Sequence, residues 1–282
     1  MSETTQVRLT LFKGGYCTHS EKMVLRTGRR RQIAFPSLFA LIEHPTQGAL
    51  LYDTGYGSHF FSATEGFPER IYRMVTPVTL DSRDTAVAKL ALAGYQPEDI
   101  RLILISHFHG DHVAALKDFP KSRFVFLAQG YQAVKSLRGT RAVRIGFLPD
   151  LLPPDFTSRT EAIEADSPLA TEPLAPFAQS FDLFGDGSIL LIPLEGHFCG
   201  QMGAWLNTTR GPVLLVADAC WLRESFEKLI LPHPLAMGIM HDRRRYLADL
   251  EAIQGFQRLQ PQTLIIPSHC TRSIDAYQPV PA

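Results

Sequence analysis

The sequence predicts an α/β protein in which two β-sheets pack face to face with helices on the outside. Three observations carry this expectation. Short β-rich runs bounded by turn residues come first; a helix-then-strand unit follows; and after a proline-rich stretch the order of strands, helix and strand returns. The 282 residues could make two domains on length alone, but one layered α/β domain spanning residues 1–282 is the simpler reading and can bury a large core. No short-period repeat is present.

The first strands are "VRLTLF", "FPSLFALIEH" and "GALLYDTG", with "HPTQG" supplying a hairpin turn, so an antiparallel meander leads to Asp53. The segment Asp81 to Gly94 has Asp or Ser at the N-cap, apolar residues at helical spacing and a terminal Gly, which predicts a helix. The strand "IRLILIS" comes next, then a short helix over "HVAALKDFP", a strand "RFVFLA" and a helix over "QGYQAVKSL". Residues 148–179 carry prolines at 149, 153, 154, 168, 173 and 176, so an irregular excursion with no long element is expected there. Beyond it, "FDLFGDGSILLIPLEGH" and "MGAWLNTTRGPVLLVADA" read as hairpins, followed by a helix at about Arg243 to Leu259 and a last strand "TLIIPSH".

Composition excludes several classes of partner. Lys plus Arg total 28 and Asp plus Glu total 28, so there is no general field to draw in nucleic acid or an anionic membrane. The basic runs at Arg29–Arg31 and Arg243–Arg245 read as solvated faces or salt-bridged turns. The N-terminus is polar before it is apolar, the wrong order for a signal peptide, and no apolar stretch reaches the roughly 18 residues of a membrane span. A cytoplasmic protein is expected. Cys17, Cys199, Cys220 and Cys270 form no C-x-x-C pair, so they are read as free thiols.

The chemistry is concentrated in "SHFHGDH", Ser106 to His112, where an apolar strand runs out into a loop. Imidazole and carboxylate are ligands for zinc-like ions, and His107 and His109 project to the same side of an extended segment. If the chain bends at Gly110, Asp111 and His112 can face a second metal position nearby. His197, Asp218 and His269 each follow a mostly apolar run, where a buried strand emerges at a sheet rim. Any one of them could be a capped strand end or a satisfied histidine; seven such residues on the same kind of rim read as a site.

With these residues in place the chain resembles the metallo-β-lactamase-fold hydrolases, whose pattern is H-x-H-x-D-H followed by a later His, Asp and His. The resemblance spans nearly the whole chain, including "YDTG" at Tyr52 to Gly55 and "LEGH" at Leu194 to His197. It implies a four-layer αββα sandwich and two divalent metal ions, Zn2+ by preference. One ion would be held by His107, His109 and His197, the other by Asp111, His112 and His269, with Asp218 bridging both. Asp53 matches a residue that supports the ligand histidines, or is a turn-capping Asp. The implied reaction is hydrolysis by a metal-bridging hydroxide, with Asp111 as the catalytic group that orients the nucleophile and moves a proton to the leaving oxygen.

Within that family the chain looks most like the N-acyl-homoserine lactone lactonases, which are quorum-quenching enzymes. The 21 residues from His197 to Asp218 and the stretches "LTLFKGGYCTHS" and "AGYQPEDIRLILISHFHGDH" carry this likeness. A glutathione-dependent thioesterase would need a helical region after His269, where 13 residues remain. The expected substrate is a small-molecule lactone or related carboxylic ester. A phosphodiesterase or thioesterase of the same fold, or a metal-bearing regulatory protein with little turnover, is the alternative. The lactonases usually place a tyrosine three residues after the bridging aspartate, whereas "DACW" places Trp221 there. Trp221 is therefore read either as a surface on which the substrate stacks or as core. Gly110 stands where lactonases often carry a bulky residue, which is expected to widen the pocket. The aromatic stretch "GSHFFSATEGFPERIYRMV" puts Phe60 and Phe61 forward as a wall or lid for an apolar substrate, with a homodimer interface as the competing use. His233 and His241 are read as pocket-lining or structural.

Overall fold

The structure, a computed structural model, describes residues 4–277; residues 1–3 of the polar N-terminal stretch and residues 278–282 lie outside the described residues. The first sheet is built from β1 (Arg8–Ser20), β2 (Gln32–His44), β3 (Gly48–Tyr52), β4 (Val78–Thr79), β5 (Ile100–Leu104), β6 (Arg123–Leu127) and β7 (Thr160–Ile163), in the order β4-β1-β2-β3-β5-β6-β7. The second contains β8 (Ala170–Thr171), β9 (Ser180–Asp182), β10 (Ile189–Pro193), β11 (Met202–Thr208), β12 (Gly211–Ala217) and β13 (Leu264–Pro267), in the order β13-β12-β11-β10-β9-β8. Strands β3, β5, β6 and β7 run parallel to one another, as do β12 and β13. Being covered on both faces, parallel strands read as continuous apolar runs, which is why "LILI" and "LLVA" stand out.

Alternation along the strands separates two apolar layers. Leu9, Leu11, Leu38, Ile42, Tyr52 and Leu104 of the first sheet share a buried cluster with Leu191, Met202, Leu206, Leu215 and Ile266 of the second, so this layer glues sheet to sheet. The opposite faces are covered by helices. The helix Arg243–Leu259 buries Tyr246, Leu250, Ile253 and Phe256 in a cluster that includes Leu214, Val216 and Ile265. Each such large side chain contributes about 1.5–3 kcal/mol by leaving water. Asp242 caps this helix, its carboxylate accepting from the backbone N–H of Arg244 and Arg245. The result is the αββα sandwich expected from the sequence.

Several elements differ from expectation in extent. The helix foreseen over 81–94 is a 3₁₀ turn at Ser82–Asp84 followed by a helix at Ala86–Leu92, because the Thr85 hydroxyl accepts from Ala88 N–H and restarts it. That foreseen over 112–120 shrinks to Gly110–Val113 and a 3₁₀ turn at Leu116–Asp118. The proline-rich 148–179 segment is irregular for most of its length, yet it supplies an edge strand to each sheet. Thr160–Ile163 is free of proline and pairs with β6; Ala170–Thr171 pairs with β9 between Pro168 and Pro173. These strands are made by edge pairing, too short for periodicity to register. The aromatic stretch forms two helices, Ser58–Ala63 and Arg70–Val75.

Candidate metal centre

All seven sequence-predicted ligands lie at the same rim of the sandwich, just beyond the ends of strands. Asp53 follows β3, Ser106 to His112 follow β5, His197 lies beyond β10, Asp218 follows β12 and His269 lies beyond β13. Their ligand atoms form two groups, His107, His109, His197 and Asp218 in one and Asp111, His112 and His269 in the other, with the atoms of each group within 4.8 Å of one another. Asp218 touches both: Oδ2 lies 3.5 Å from His197 Nε2 and 3.0 Å from His269 Nε2, and Oδ1 lies 3.3 Å from His112 Nε2. Asp111 Oδ2 lies 3.6 Å from both His112 Nε2 and His269 Nε2.

Each imidazole is turned by a partner on its outer nitrogen. His112 Nδ1–H donates to Asp53 Oδ2 at 2.7 Å, and His269 Nδ1–H donates to the Pro36 carbonyl at 2.7 Å. His107 Nδ1 meets Ser106 Oγ at 3.0 Å, and His109 donates to the Ile145 carbonyl. Nε2 of His107 and of His197 both face His109 Nδ1, at 3.0 and 3.1 Å. Such outer contacts set tautomer and ring direction in metal sites. Asp53 also accepts from Ser106 N–H at 2.8 Å and Ser106 Oγ–H at 2.7 Å, so it organises the start of the motif.

The electrostatics favour a cation. Burial holds His107, His109 and His197 below the usual histidine range, so three neutral imidazoles face one carboxylate. Burial would also push His112 down, but Asp111, Asp53 and Asp218 hold it well above its usual value; His269 is raised against burial mainly by Asp218. Burial would raise Asp218, yet His269 and His112 hold it well below the carboxylate range. His112 Nε2 and Asp218 Oδ1 are buried without a hydrogen-bond partner. Orphaned ligand atoms, neutral imidazoles and converging carboxylates fit divalent metal ions.

The loop carrying His197 is clamped from outside. A Cβ on Gly196 would lie 2.1 Å from both the Cα and the N of Tyr246, so only glycine lets the "LEGH" turn rest on the long helix. Gly196 N–H donates to Asp249 Oδ2 at 2.8 Å, and the N–H groups of His241 and Asp242 donate to the carbonyls of His197 and Gly196, both at 3.0 Å.

The centre opens into a cavity of about 600 Å3 lined by Cys17, His19, Tyr72, Arg144 and Trp221, among others. Phe60 and Phe61 do not line it, contrary to expectation. Phe60 is fully buried, its ring against Tyr56 and Tyr72, while Phe61 packs on Phe60 and under Arg73. The wall comes instead from Ile71, Tyr72 and Val75 on the next helix. Nor does Gly110 widen the pocket or bend the chain through a special conformation: it opens an ordinary helical turn, and its missing Cβ would meet the rings of Phe60 and Tyr72 at 3.2 Å. Its smallness is used to seat those rings. Trp221 lines the cavity, but its Nε1–H donates to Asp218 Oδ2 at 3.1 Å. His233 and His241 lie outside this cavity. Sequence reasoning missed Cys17, His19 and Tyr72. "YCTHS" places Cys17 and His19 two apart on one strand, a signal that appears once β1 is known to reach Ser20.

The model of the metallo-beta-lactamase superfamily matches residues 33–269, and the chain belongs to that superfamily. Among curated relatives, N-acyl homoserine lactonase AttM of Agrobacterium fabrum is 26% identical over 241 residues, covering 83% of this chain and 84% of that protein. A probable metallo-hydrolase of Mycobacterium tuberculosis is 25% identical over 248 residues, covering 84% and 75%. Among solved structures, an N-acyl homoserine lactone hydrolase with N-hexanoyl-L-homoserine bound at its catalytic metal centre superposes with a TM-score of 0.70 at 20% identity, covering 99% of each chain. AidC, a dizinc quorum-quenching lactonase, does so at 0.63 and 15% identity over 96% of this chain and 90% of its own. Among the described residues no helix is long and apolar enough to cross a membrane.

Proposed function

We propose that this protein is a cytoplasmic, dinuclear metal-dependent hydrolase that opens a lactone ring or cleaves a related carboxylic ester bearing an apolar acyl or aryl group. The observation that carries this reading is the continuity of the seven-ligand cluster with a cavity whose walls are mostly apolar. His107, His109 and His197 would hold one ion and Asp111, His112 and His269 the other, with Asp218 shared; the imidazole and carboxylate donors suit Zn2+. Bound there, a pair of such ions supplies an acidified water and Lewis acidity toward a carbonyl.

The remaining work falls to side chains. Asp111 lines the cavity and is the carboxylate placed to take a proton from the attacking water and pass it to the departing alkoxide. Ser37 Oγ–H donates to the Asp111 carbonyl at 2.5 Å, holding that turn against β2. Ile71, Tyr72 and Val75 on one side and Leu235, Ala236 and Ile239 on the other accept the apolar group and exclude water. Arg144 is the sole Lys or Arg among the cavity-lining residues, which favours an uncharged ester over a phosphodiester.

A substrate panel with zinc-loaded protein tests the proposal: acyl-homoserine and simple γ-lactones, aryl esters, thioesters and phosphodiesters. Lactone opening with a preference for apolar substituents is expected. Turnover of a phosphodiester or thioester with no lactone opened would overturn it.

A further inference from the structure

Trp221 stands three residues after Asp218, in the turn that ends β12. Ala217 has φ +47, a left-handed conformation uncommon outside glycine, and Ala219 N–H donates to the Val216 carbonyl. The chain thereby reverses, and the indole comes back onto the carboxylate. The ring is fixed on both sides: edge-to-face on Phe35 at 5.9 Å and 81°, and on His197 at 5.8 Å and 77°. Phe35 in turn stacks on His269 at 4.2 Å and 16°. One aromatic series thus links the indole to a histidine of each metal group.

An indole carries one donor and no acceptor. That donor is spent on Asp218 Oδ2, at 3.1 Å. The carboxylate rotates freely about its last torsion unless it is held, and to serve both groups Oδ1 must face His112 while Oδ2 faces His197 and His269. The indole N–H is a fixed donor to Oδ2, and a bond to one of the two oxygens restrains that rotation.

We propose that Trp221 is a positioning residue for Asp218, its indole N–H holding the carboxylate in the orientation shared by the two halves of the centre, and that it does not donate to the substrate. The proposal rests on the reading of Asp218 as a shared ligand. It also distinguishes the stretch "DACW" from the tyrosine-bearing pattern of the lactonases: here the side chain at that position acts on the centre instead of on the substrate carbonyl.

Trp221→Phe retains an aromatic ring and removes the N–H. Stepwise Zn2+ titration against a chromophoric chelator is expected to show at least one ion bound 10- to 100-fold more weakly, the usual loss when an outer contact of a metal ligand is removed. The KM for any substrate should hold while kcat falls with occupancy and recovers as Zn2+ is raised. Both ions bound as tightly as in the unsubstituted protein, or a raised KM with unchanged metal affinity, would overturn the proposal. Should the variant fail to fold, ¹⁵N-indole NMR of the unsubstituted protein decides, because it holds two tryptophans. A Trp221 Nε1–H resonance that is slow to exchange and displaced by Zn2+ supports the proposal; one that exchanges fast and ignores Zn2+ refutes it. Weakened metal binding in a protein that opens no lactone would leave this role standing and remove the lactonase reading alone.

Discussion

The Nδ1–H of His112 and Oδ2 of Asp53 meet at 2.7 Å with both side chains wholly enclosed. Asp53 follows β3 and His112 ends the motif beyond β5, so this one contact ties two parallel strands to the centre. Asp53 itself has φ 57, a left-handed conformation held by its N–H to the Leu104 carbonyl at 2.8 Å. Asp53→Asn keeps the volume and loses the charge. We expect the ion at His112 to bind 10- to 100-fold more weakly, read by chelator competition; unchanged affinity would reduce Asp53 to a turn cap.

The contact between Gly196 and Tyr246 predicts an unusually costly methyl. Gly196→Ala forces Cβ into the helix backbone at 2.1 Å, and backbone cannot yield as a flexible side chain would. A loss of about 3 kcal/mol or more in denaturant unfolding is expected, with weaker metal retention through His197. A variant as stable as its parent would mean that the loop does not rest on the helix in solution.

Burial pushes the Asp249 carboxyl up to about 7, against the Gly196 N–H bond that favours its ionised form. Since the folded protein holds this proton where the unfolded chain has lost it, stability from this group falls as pH rises between about 4 and 7. Asp249→Asn keeps an acceptor for Gly196 and removes the penalty. The variant should be more stable than its parent by about 1–3 kcal/mol at pH 8, the advantage fading toward pH 4. Equal differences at both pH values would contradict the assignment.

Asp111→Asn separates ligation from proton handling. An amide oxygen still binds metal, though weakly, but cannot carry a proton, so turnover should drop by roughly two or more orders of magnitude in metal-saturated protein. Activity that falls only in step with metal content would make Asp111 a ligand alone.

The candidate ligand positions were readable in the sequence because a buried, mostly apolar strand gives way to a polar residue at its end, and four such ends, after β5, β10, β12 and β13, meet at one rim. The cavity wall was harder to read. Phe60 and Tyr72 are both aromatic within one stretch, and which ring faces the cavity depends on how two short helices turn against Gly110, a packing outcome without local signature. β7 and β8 come from pairing at sheet edges, which residue order near proline does not reveal. Trp221 stands three residues after Asp218 in the sequence, where substrate stacking or core packing is expected, but the partner of its indole N–H depends on the reversal at Ala217.

The most direct test of the dinuclear reading is the metal content of the protein purified from zinc-replete medium, measured by elemental analysis on a known protein concentration. Seven ligands in two groups sharing Asp218 predict close to two ions per chain, falling by at least one in Asp218→Ala. One ion or fewer in the unsubstituted protein, or two retained without Asp218, would contradict it.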